Sequence, residues 1–447
     1  MTLRERLCAF SSNVALIKEN LDFLSYSQLI NRADDIVANL SQERSLIFIE
    51  ADSSFDSICA YIGALINGHV VMLLDPDLSA DLKDSLYSHY SPNYIYKNGS
   101  LLSYSNMIHD LHSDLALMLS TSGSTGAPKL VKLTQENILA NASSIAEYLK
   151  LECSDRAVTS LPLHYSYGLS ILNSHLYSGA SIFVTKETLF SKCFWSSVNE
   201  LKITSLSGVP YTYEMLKRLK IKDMTLPHIR FLTQAGGKMS EAMIKEFYEV
   251  SKGKGWDLFV MYGQTEATAR MSYLPPNLLP NKIGSIGRAI PGGSFEVNKL
   301  NSLSLEGEIV YRGPNVMLGY AKNVEDLSIG DELNSVLNTG DIGFKDNDGD
   351  LFITGRKSRF IKLFGLRFSL DQIENELINN KFEIAVGGVD EMLKIATTEL
   401  DKVKEIKAYI LKNFKLNHRA VNVFHVEKLP LKSNGKVDYQ LLFGEKK

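Results

Sequence analysis

A loop rich in hydroxyl groups and glycine, residues 120–132, reads S-T-S-G-S-T-G-A-P-K-L-V-K and leads into a helical pattern. Glycines let a backbone approach a ligand closely, and hydroxyls donate hydrogen bonds. The spacing is not that of a Walker A loop, which has four residues between its glycines and then Gly-Lys-Ser/Thr. Alone, the pattern also fits a flexible surface loop. Read as chemistry, it predicts phosphate binding by Thr121, Ser122, Gly123, Ser124, Thr125, Gly126 and Lys129.

Four further motifs follow in order along the chain. They are Y-G-Q-T-E at residues 262–266, N-T-G-D at 338–341, G-R-K-S-R-F-I-K-L-F-G-L-R at 355–367 and L-P-L-K-S-N-G-K-V-D-Y at 429–439. Five ordered motifs are a far more specific signal than any one of them. Together they resemble the adenylate-forming superfamily of acyl-CoA synthetases, peptide-synthetase adenylation domains and luciferases. The resemblance runs from about residue 20 to the C-terminus.

The resemblance implies binding of ATP and Mg²⁺ and formation of an acyl-adenylate. Thr265 would donate to the α-phosphate, and Glu266 would be the Mg²⁺ ligand, since this ion takes few protein carboxylates besides phosphate oxygens. Asp341 would accept hydrogen bonds from the ribose hydroxyls, and Arg356 would reach ribose or phosphate. The adenine would lie between Tyr262 and the turn formed by Gln234, Ala235, Gly236 and Gly237. Gly263, directly after Tyr262, would belong to the same nucleotide-binding site.

The resemblance also implies two uses of the C-terminal segment. Lys436, in N-G-K, would span the substrate carboxylate and the α-phosphate during adenylation. A rotation about a hinge would then withdraw it, and Lys362 and Gly365 would line a tunnel for the pantetheine thiol. The hinge position holds Ser358, where aspartate or lysine is usual in the family, so the control of the rotation is left open.

The segment L-P-L-H-Y-S-Y-G-L, residues 161–169, is expected at the carboxylate end of the acid pocket. Tyr165 matches the family's aromatic or histidine gate, and a shift of one residue would give that role to His164. Amino-acid-activating relatives carry an aspartate in this segment to hold the substrate ammonium. None is present here, so a carboxylic acid without an α-amino group is favoured, and amino-acid loading of a carrier protein is the alternative.

The thiol acceptor is CoA or the phosphopantetheine of a carrier protein. From residue 402 to the end, eleven Lys and Arg face four Asp and Glu, a net charge of 11 − 4 = +7. Such a domain attracts the phosphates of CoA or an acidic carrier surface. Because the small domain looks short for the family, with a strand pair missing near residues 389–399, the carrier protein is slightly preferred. A degenerate nucleotide-binding regulatory protein is the alternative from another class.

The overall composition narrows the partners and the compartment. The chain has 447 residues, is 45% hydrophobic and carries 48 basic against 51 acidic residues, so nothing predicts binding to nucleic acid or a membrane. The four cysteines lack metal or disulfide spacing, and the first residues lack the apolar core of a signal peptide. A cytoplasmic enzyme of small-molecule acids is expected.

Apolar, β-branched runs alternate with helical patterns as far as residue 262. They lie at residues 45–50, 70–74, 115–120, 157–161, 181–185, 203–207, 231–234 and 258–262. This order predicts an α/β fold, with stacked, parallel-rich sheets covered by helices. The expected domains are a large N-terminal one, 1–356, with a β-rich subdomain at about 284–356, and a small mobile α+β one, 357–447, that carries Lys436.

Overall fold

The structure is a computed structural model of the whole chain. It describes residues 1–18, 22–40, 44–120, 129–299, 304–357, 359–363, 366–414, 416–432 and 436–444. The loop residues Thr121 to Gly126, the hinge residue Ser358 and the tunnel residue Gly365 lie outside the described residues.

Twelve α-helices are found in the described part of the chain. Several begin at a hydroxyl residue whose side chain accepts a hydrogen bond from the first turn, as Ser25 and Thr134 do. Their bounds are α1 Leu3–Cys8, α2 Tyr26–Val37, α3 Phe55–Ile66, α4 Ala80–Tyr90, α5 Gln135–Leu149, α6 Ser166–Tyr177, α7 Lys192–Glu200, α8 Pro210–Arg218, α9 Glu241–Lys254, α10 Leu370–Asn379, α11 Val403–Asn413 and α12 Tyr439–Phe443.

The strands of the described residues are short and mostly apolar. Their bounds are β1 Val14–Ile17, β2 Phe23–Ser25, β3 Leu46–Glu50, β4 Val70–Leu74, β5 Tyr94–Lys97, β6 Ser100–Ser103, β7 Leu115–Ser120, β8 Leu130–Thr134, β9 Arg156–Val158, β10 Ser181–Phe183, β11 Ser205–Gly208, β12 Phe231–Gln234, β13 Asp257–Tyr262, β14 Ser272–Leu274, β15 Arg288–Ala289, β16 Ser294–Lys299, β17 Gly307–Arg312, β18 Gly319–Ala321, β19 Val336–Lys345, β20 Leu351–Arg356, β21 Phe360–Leu363, β22 Leu366–Ser369, β23 Ile384–Val389, β24 Met392–Thr397 and β25 Val421–His425.

Two larger sheets carry most of the site. One has seven strands in the order β18-β8-β7-β4-β3-β5-β6, and the other has five in the order β11-β12-β13-β14-β15. Strands β4, β3, β5 and β7 pair in parallel, as do β11, β12 and β13. Parallel strands need crossovers, and helices α3, α8 and α9 supply them. The carboxyl ends of parallel strands meet at one edge, where functional loops collect.

The α/β prediction is confirmed, and each of the eight predicted strands is present. Three match residue for residue, at 70–74, 115–120 and 231–234. Two others end early, because the runs at 157–161 and 181–185 continue as loop after Val158 and Phe183. After residue 284 the order turns to strands, with an antiparallel sheet β16-β17-β19-β20.

The residues after 356 build an apolar core of their own. Helices α10 and α11 pack on the sheet β23-β24-β25 and on the hairpin β21–β22 through buried Ile, Leu and Val side chains. A strand, Met392–Thr397, lies in the stretch where the family resemblance suggested a missing strand pair. Within the described residues, no helix combines the length and apolar character needed to cross a membrane.

Candidate active site

The ends of two neighbouring parallel strands carry the predicted adenine-binding residues. Strand β12 ends at Gln234 and leads into the turn 235–237, while β13 ends at Tyr262 and leads into the Y-G-Q-T-E motif. The Gln234 side chain is buried and donates to the carbonyl of Gly237 at 2.8 Å, which closes the turn. Both segments therefore lie at the carboxyl edge of the five-stranded sheet.

Two glycines are required here by the closeness of their neighbours. A Cβ on Gly263 would lie 1.7 Å from the carbonyl oxygen of Ala269, so no side chain fits. Gly236 has φ +82°, and a Cβ on it would lie 2.3 Å from the hydroxyl of Tyr165. The second contact also shows that Tyr165 packs directly against the turn that follows β12.

Asp341 is the centre of a hydrogen-bond cluster and is 2% exposed. Its Oδ2 accepts from the hydroxyl of Tyr262 at 2.5 Å and from Nε2 of Gln264 at 2.8 Å. Its Oδ1 lies 3.0 Å from Nε of Arg356. Burial and the neighbouring Asp341 carboxylate raise the pKa of Tyr262 well above its ordinary value, so the phenol keeps its proton and donates it. Gln264 has no role in the sequence prediction.

Glu266 and Lys129 meet through a tyrosine that no motif indicated. The hydroxyl of Tyr320 donates to Oε1 of Glu266 at 2.8 Å, and the ammonium of Lys129 lies 3.3 Å from the centre of the Tyr320 ring. Pairing of β18 with β8, which sets Tyr320 opposite Val131, creates this contact. A lone tyrosine in L-G-Y gives no spacing signal, so only the sheet register could reveal it.

Thr265 lies at the start of a short 3₁₀ turn that ends at Ala267. Its hydroxyl is 3.1 Å from the hydroxyl of Ser166, the first residue of α6. This contact joins the Y-G-Q-T-E motif to the helix that follows His164 and Tyr165. Those three segments therefore share one end of the site.

His164 and Tyr165 differ in their partners. Nε2 of His164 lies 3.5 Å from Oδ2 of Asp75, while its Nδ1 is buried with no hydrogen-bond partner in the described residues. Burial lowers the pKa of His164, and the acids Asp75 and Asp77 oppose that shift. Burial raises the pKa of Tyr165. Tyr165 packs against the turn 235–237, whereas His164 faces the end of β4.

Lys436 reaches the same place from the C-terminal segment. Burial and the positive charge of Arg356 lower the pKa of Lys436 to about 8, while Asp341 and Glu266 act in the opposite direction. The lysine is held on a hairpin closed by the bridge between Leu431 and Val437.

A second cluster supports that hairpin from the side of the predicted hinge. The hydroxyl of Tyr439 donates to Glu374, whose other oxygen accepts from Nη2 of Arg359 at 2.8 Å. The Arg359 guanidinium also lies 4.2 Å from the centre of the Tyr439 ring. Asp371 accepts from Arg359 and from the backbone N–H of Arg356 at 2.7 Å. The cluster therefore connects the end of β20 with the residue three positions after Lys436.

Lys362 is a predicted site residue that lies apart from the residues around Asp341. It lies on β21, is exposed, and its backbone N–H donates to Asp390 at 2.8 Å. No contact of Lys362 with the residues around Asp341 is present in the described part of the chain. Gly365 and the phosphate loop from Thr121 to Gly126 lie outside the described residues.

The donor set fits a magnesium ion carried in with a nucleotide. Among the described residues, no group of three or more His, Cys, Asp or Glu side chains could hold a metal by itself. Mg²⁺ is commonly held by one or two carboxylates together with phosphate oxygens and water. Glu266 offers such a carboxylate: Tyr320 engages its Oε1, and its Oε2 has no hydrogen-bond partner within the described residues.

Comparison with known proteins gives consistent matches. The family model described as AMP-binding enzyme matches residues 105–321. The oxalate–CoA ligase of Arabidopsis thaliana is 30% identical over 353 residues, which cover 74% of this chain and 67% of that protein. The 2-succinylbenzoate–CoA ligase of Bacillus licheniformis is 30% identical over 348 residues, which cover 74% of this chain and 70% of that protein.

Solved structures share the fold. The o-succinylbenzoate CoA synthetase of Bacillus subtilis, in complex with its acyl-adenylate intermediate, superimposes with a TM-score of 0.79 at 21% identity and covers 100% of this chain and 98% of that one. ATP-bound MatB of Rhodopseudomonas palustris gives a TM-score of 0.80 at 20% identity, covering 99% and 98%. The family model and the two relatives at 30% identity show that this chain belongs to the family of AMP-binding enzymes.

Proposed function

We propose that this protein is an AMP-forming acid–thiol ligase. A carboxylate attacks the α-phosphate of ATP to give an acyl-adenylate and pyrophosphate, and a thiol then attacks the acyl carbon to give a thioester and AMP. The observation that carries the proposal is the buried Asp341 carboxylate, which pairs with Arg356 at 3.0 Å and accepts from Tyr262. Lys436, from the C-terminal segment, interacts electrostatically with the same groups. An ordinary solvated surface lysine would not be expected to interact with those groups.

In the first half-reaction, each polar group has a place to act. Asp341 accepts from the ribose hydroxyls after exchanging its present donors, Tyr262 and Gln264. The adenine lies against Tyr262 and the turn that begins at Gln234. Thr265 donates to the α-phosphate, and Lys436 bridges it to the substrate carboxylate. These charges and donors stabilise the pentacoordinate transition state, whose negative charge exceeds that of ATP.

The pyrophosphate end belongs to the loop from Thr121 to Gly126, together with Lys129. Glu266 would hold Mg²⁺, which would neutralise charge at the phosphates. Tyr320 orients the Glu266 carboxylate through its 2.8 Å hydrogen bond. We infer that Tyr320 is a positioning residue for Glu266 and does not itself touch the nucleotide.

The domain division proposed for this reaction is 1–356 and 357–447, with the β-rich part at about 284–356 inside the first. The separate apolar core after residue 356 supports the boundary. Rotation about the segment that contains Ser358 would remove Lys436 from the adenylate and bring Lys362 and Gly365 towards it. The exposed position of Lys362 on β21 agrees with a role in a second arrangement.

For the acceptor we now favour CoA over a carrier protein. The preference for a carrier rested on a shortened small domain, and the strand Met392–Thr397 weakens that premise. Relatives with 30% identity are named CoA ligases. The net charge of +7 after residue 402 suits the phosphates of CoA equally well. The reaction is proposed for the cytoplasm, where CoA and reduced thiols are present.

The names of the relatives leave the acid open. Oxalate and 2-succinylbenzoate each carry two carboxyl groups, whereas the 30% identical indoleacetate–CoA ligase of Aromatoleum aromaticum is named for an acid with one. No carboxylate occurs in residues 161–169 to hold an ammonium group. A carboxylic acid without an α-amino group therefore remains the proposed substrate class.

The decisive experiment measures acid-dependent exchange of pyrophosphate into ATP across mono- and dicarboxylic, aromatic and amino acids. Thioester formation is then followed with CoA and with a panel of holo-carrier proteins at low and high salt. Exchange with a free acid, followed by thioester formation with CoA, is expected. Exchange with amino acids alone would favour the carrier-loading alternative. Nucleotide binding without exchange for any acid would instead indicate the regulatory alternative and overturn the proposal.

A further inference from the structure

Arg270 is a buried arginine just after the Y-G-Q-T-E motif, in the sequence A-T-A-R-M. Its relative exposure is 2%. A guanidinium keeps its charge in proteins, so the side chain is a fixed cation. Taking such an ion out of water is costly unless an opposite charge or a full set of acceptors compensates. The partners of Arg270 therefore decide how to interpret it.

The partners of Arg270 are all neutral. Its Nε donates to the hydroxyl of Ser170 at 3.1 Å, and Nη1 donates to the hydroxyl of Tyr148 at 3.0 Å and lies 3.5 Å from the sulfur of Met261. The guanidinium is 5.1 Å from the centre of the Tyr167 ring. No carboxylate pairs with Arg270, and Nη2 makes no hydrogen bond, within the described residues. The site holds a cation without its counter-ion.

The nearby titratable groups do not supply the missing negative charge. Burial raises the pKa of Tyr148, although Arg270 opposes the shift, and burial raises the pKa of Tyr167 to about 12. Both phenols are therefore protonated at neutral pH. His175 is buried too, and its pKa is lowered to about 4, so it is uncharged. In the described part of the chain, the surroundings of Arg270 therefore carry no ionised partner to balance it.

Arg44 shows what the hydrogen bonds of a structural arginine look like in this protein. Its guanidinium donates to the backbone carbonyls of Gly68, Leu111, His112 and Leu115. Each of its three nitrogens has a carbonyl partner. Arg270 is more deeply buried and has fewer and weaker acceptors. A purely structural role therefore explains Arg44 but not Arg270.

A small cavity lies beside Ser170, which is a hydrogen-bond partner of Arg270. Ser166 and Ser170, on successive turns of α6, line it together with Asn141 and Thr268. Ser166 contacts Thr265 at one end, and Ser170 accepts from Arg270 at the other. Four residues of helix span about 6 Å, which sets the scale of the separation. The Asn141 Oδ1 at this cavity is buried without a partner in the described chain.

We propose that Arg270 binds a second acidic group of the substrate acid, so that the substrate is a short dicarboxylic acid. One carboxylate reacts at Thr265 and Lys436, and the other pairs with the forked guanidinium. This inference rests on the proposed ligase function and specifies its substrate class. The cavity, about 10 Å³, holds no more than a water molecule as it stands, so binding of the acid widens it.

The test compares matched acids on the whole protein. Initial rates of pyrophosphate exchange are measured for succinate against butyrate and for glutarate against pentanoate, with wild type, Arg270→Met, Arg270→Lys and the control Arg44→Met. Wild type is expected to prefer the dicarboxylate of each pair. Arg270→Met should lower kcat/KM for the dicarboxylates roughly 100-fold and change the monocarboxylates less than about threefold. For Arg270→Lys, kcat/KM for the dicarboxylates should lie between the wild-type and Arg270→Met values, because lysine keeps the charge but lacks the forked guanidinium.

Arg44→Met is expected to lower the melting temperature without changing the ratio of the two acid classes. A purely structural Arg270 would behave in the same way, with both acid classes falling together, and that result would overturn the inference. A wild-type preference for monocarboxylates would also overturn it, even if the Arg270 variants fail to fold. Either result leaves the ligase proposal standing, whereas exchange with no acid of any class removes the ligase proposal itself.

Discussion

The two halves of the candidate site are held by different means. Asp341 lies on β19, while Tyr262 and Gln264 lie at the end of β13 and in the turn after it, and their hydrogen bonds are formed within the first 356 residues. Lys436 lies on a short hairpin, and its support is the cluster of Arg359, Glu374 and Tyr439. A site on strand ends is rigid, whereas one carried on a separately packed segment can be withdrawn. The difference suits a reaction with two successive half-reactions.

Removing the lysine tests the separation of the halves most strongly. Lys436→Ala should lower acyl-adenylate formation by roughly 10²–10³-fold, since it removes a charge that acts on the transition state. Thioester formation from supplied acyl-adenylate should be nearly unchanged. Single-turnover assays of each half-reaction measure the two effects, with the exposed Lys428→Ala as control. Full pyrophosphate exchange in Lys436→Ala would exclude the assigned role.

Substitution of Glu266, in the half of the site before residue 356, should change the Mg²⁺ dependence of adenylation. Glu266→Gln is expected to weaken the Mg²⁺ dependence of adenylation by roughly 10–100-fold, because it removes a charged ligand. The milder Tyr320→Phe, which deletes only the hydrogen bond to Glu266, should shift the same titration by roughly fivefold. Mg²⁺ titrations of the adenylation rate decide between them. Identical titrations for all three proteins would remove Glu266 from the metal site.

The pH dependence also separates the two half-reactions. The pKa of Lys436 is lowered to about 8, so the ammonium is present below pH 8 and lost above it. The kcat/KM for adenylation should fall about tenfold per pH unit above 8, since this quantity reports the free enzyme. Thioester formation from acyl-adenylate should lack that limb, and Lys436→Arg should abolish it. A limb that persists in Lys436→Arg would assign the titration to another group.

The same shift has a consequence for stability. Because the folded pKa lies below the ordinary value of 10.5, burial of the charged lysine destabilises the folded arrangement fully below pH 8. The penalty disappears as the pH rises towards 10.5, where both states have lost the proton. The docked hairpin is thus disfavoured at neutral pH by its own lysine, and the phosphates of ATP would compensate that charge.

The last expected effect concerns the support of the hairpin that carries Lys436. Tyr439→Phe removes the hydrogen bond to the buried Glu374, and adenylation should slow roughly tenfold through kcat with little change in the KM for ATP. Tyr409→Phe is the matched control, because Tyr409 donates to Glu376 at 3.0 Å in the same segment, outside this cluster. Equal losses in the two variants would mean that Tyr439 only stabilises the fold.

Much of the fold and part of the site could be predicted from the sequence. Short β-branched runs identified eight strands, because a strand buried on both faces is a local and nearly continuous apolar pattern. Of the motif residues, Asp341 and Arg356 form an ion pair, and the roles of both and of Lys436 stay predictions. Tyr320, Glu374 and Tyr439 were missed, because their partners lie 54 and 65 positions away and follow no spacing rule.

By itself, the sequence determined the α/β class, the family resemblance and the identity of the groups that could meet a nucleotide. These features are encoded by local patterns and by short motifs of fixed spacing. Only the tertiary structure decided that Tyr165, rather than His164, packs against the turn after β12, and that Arg270 is buried without a counter-ion. Burial and charge balance depend on the groups that folding brings from distant parts of the chain, so no local pattern can contain them.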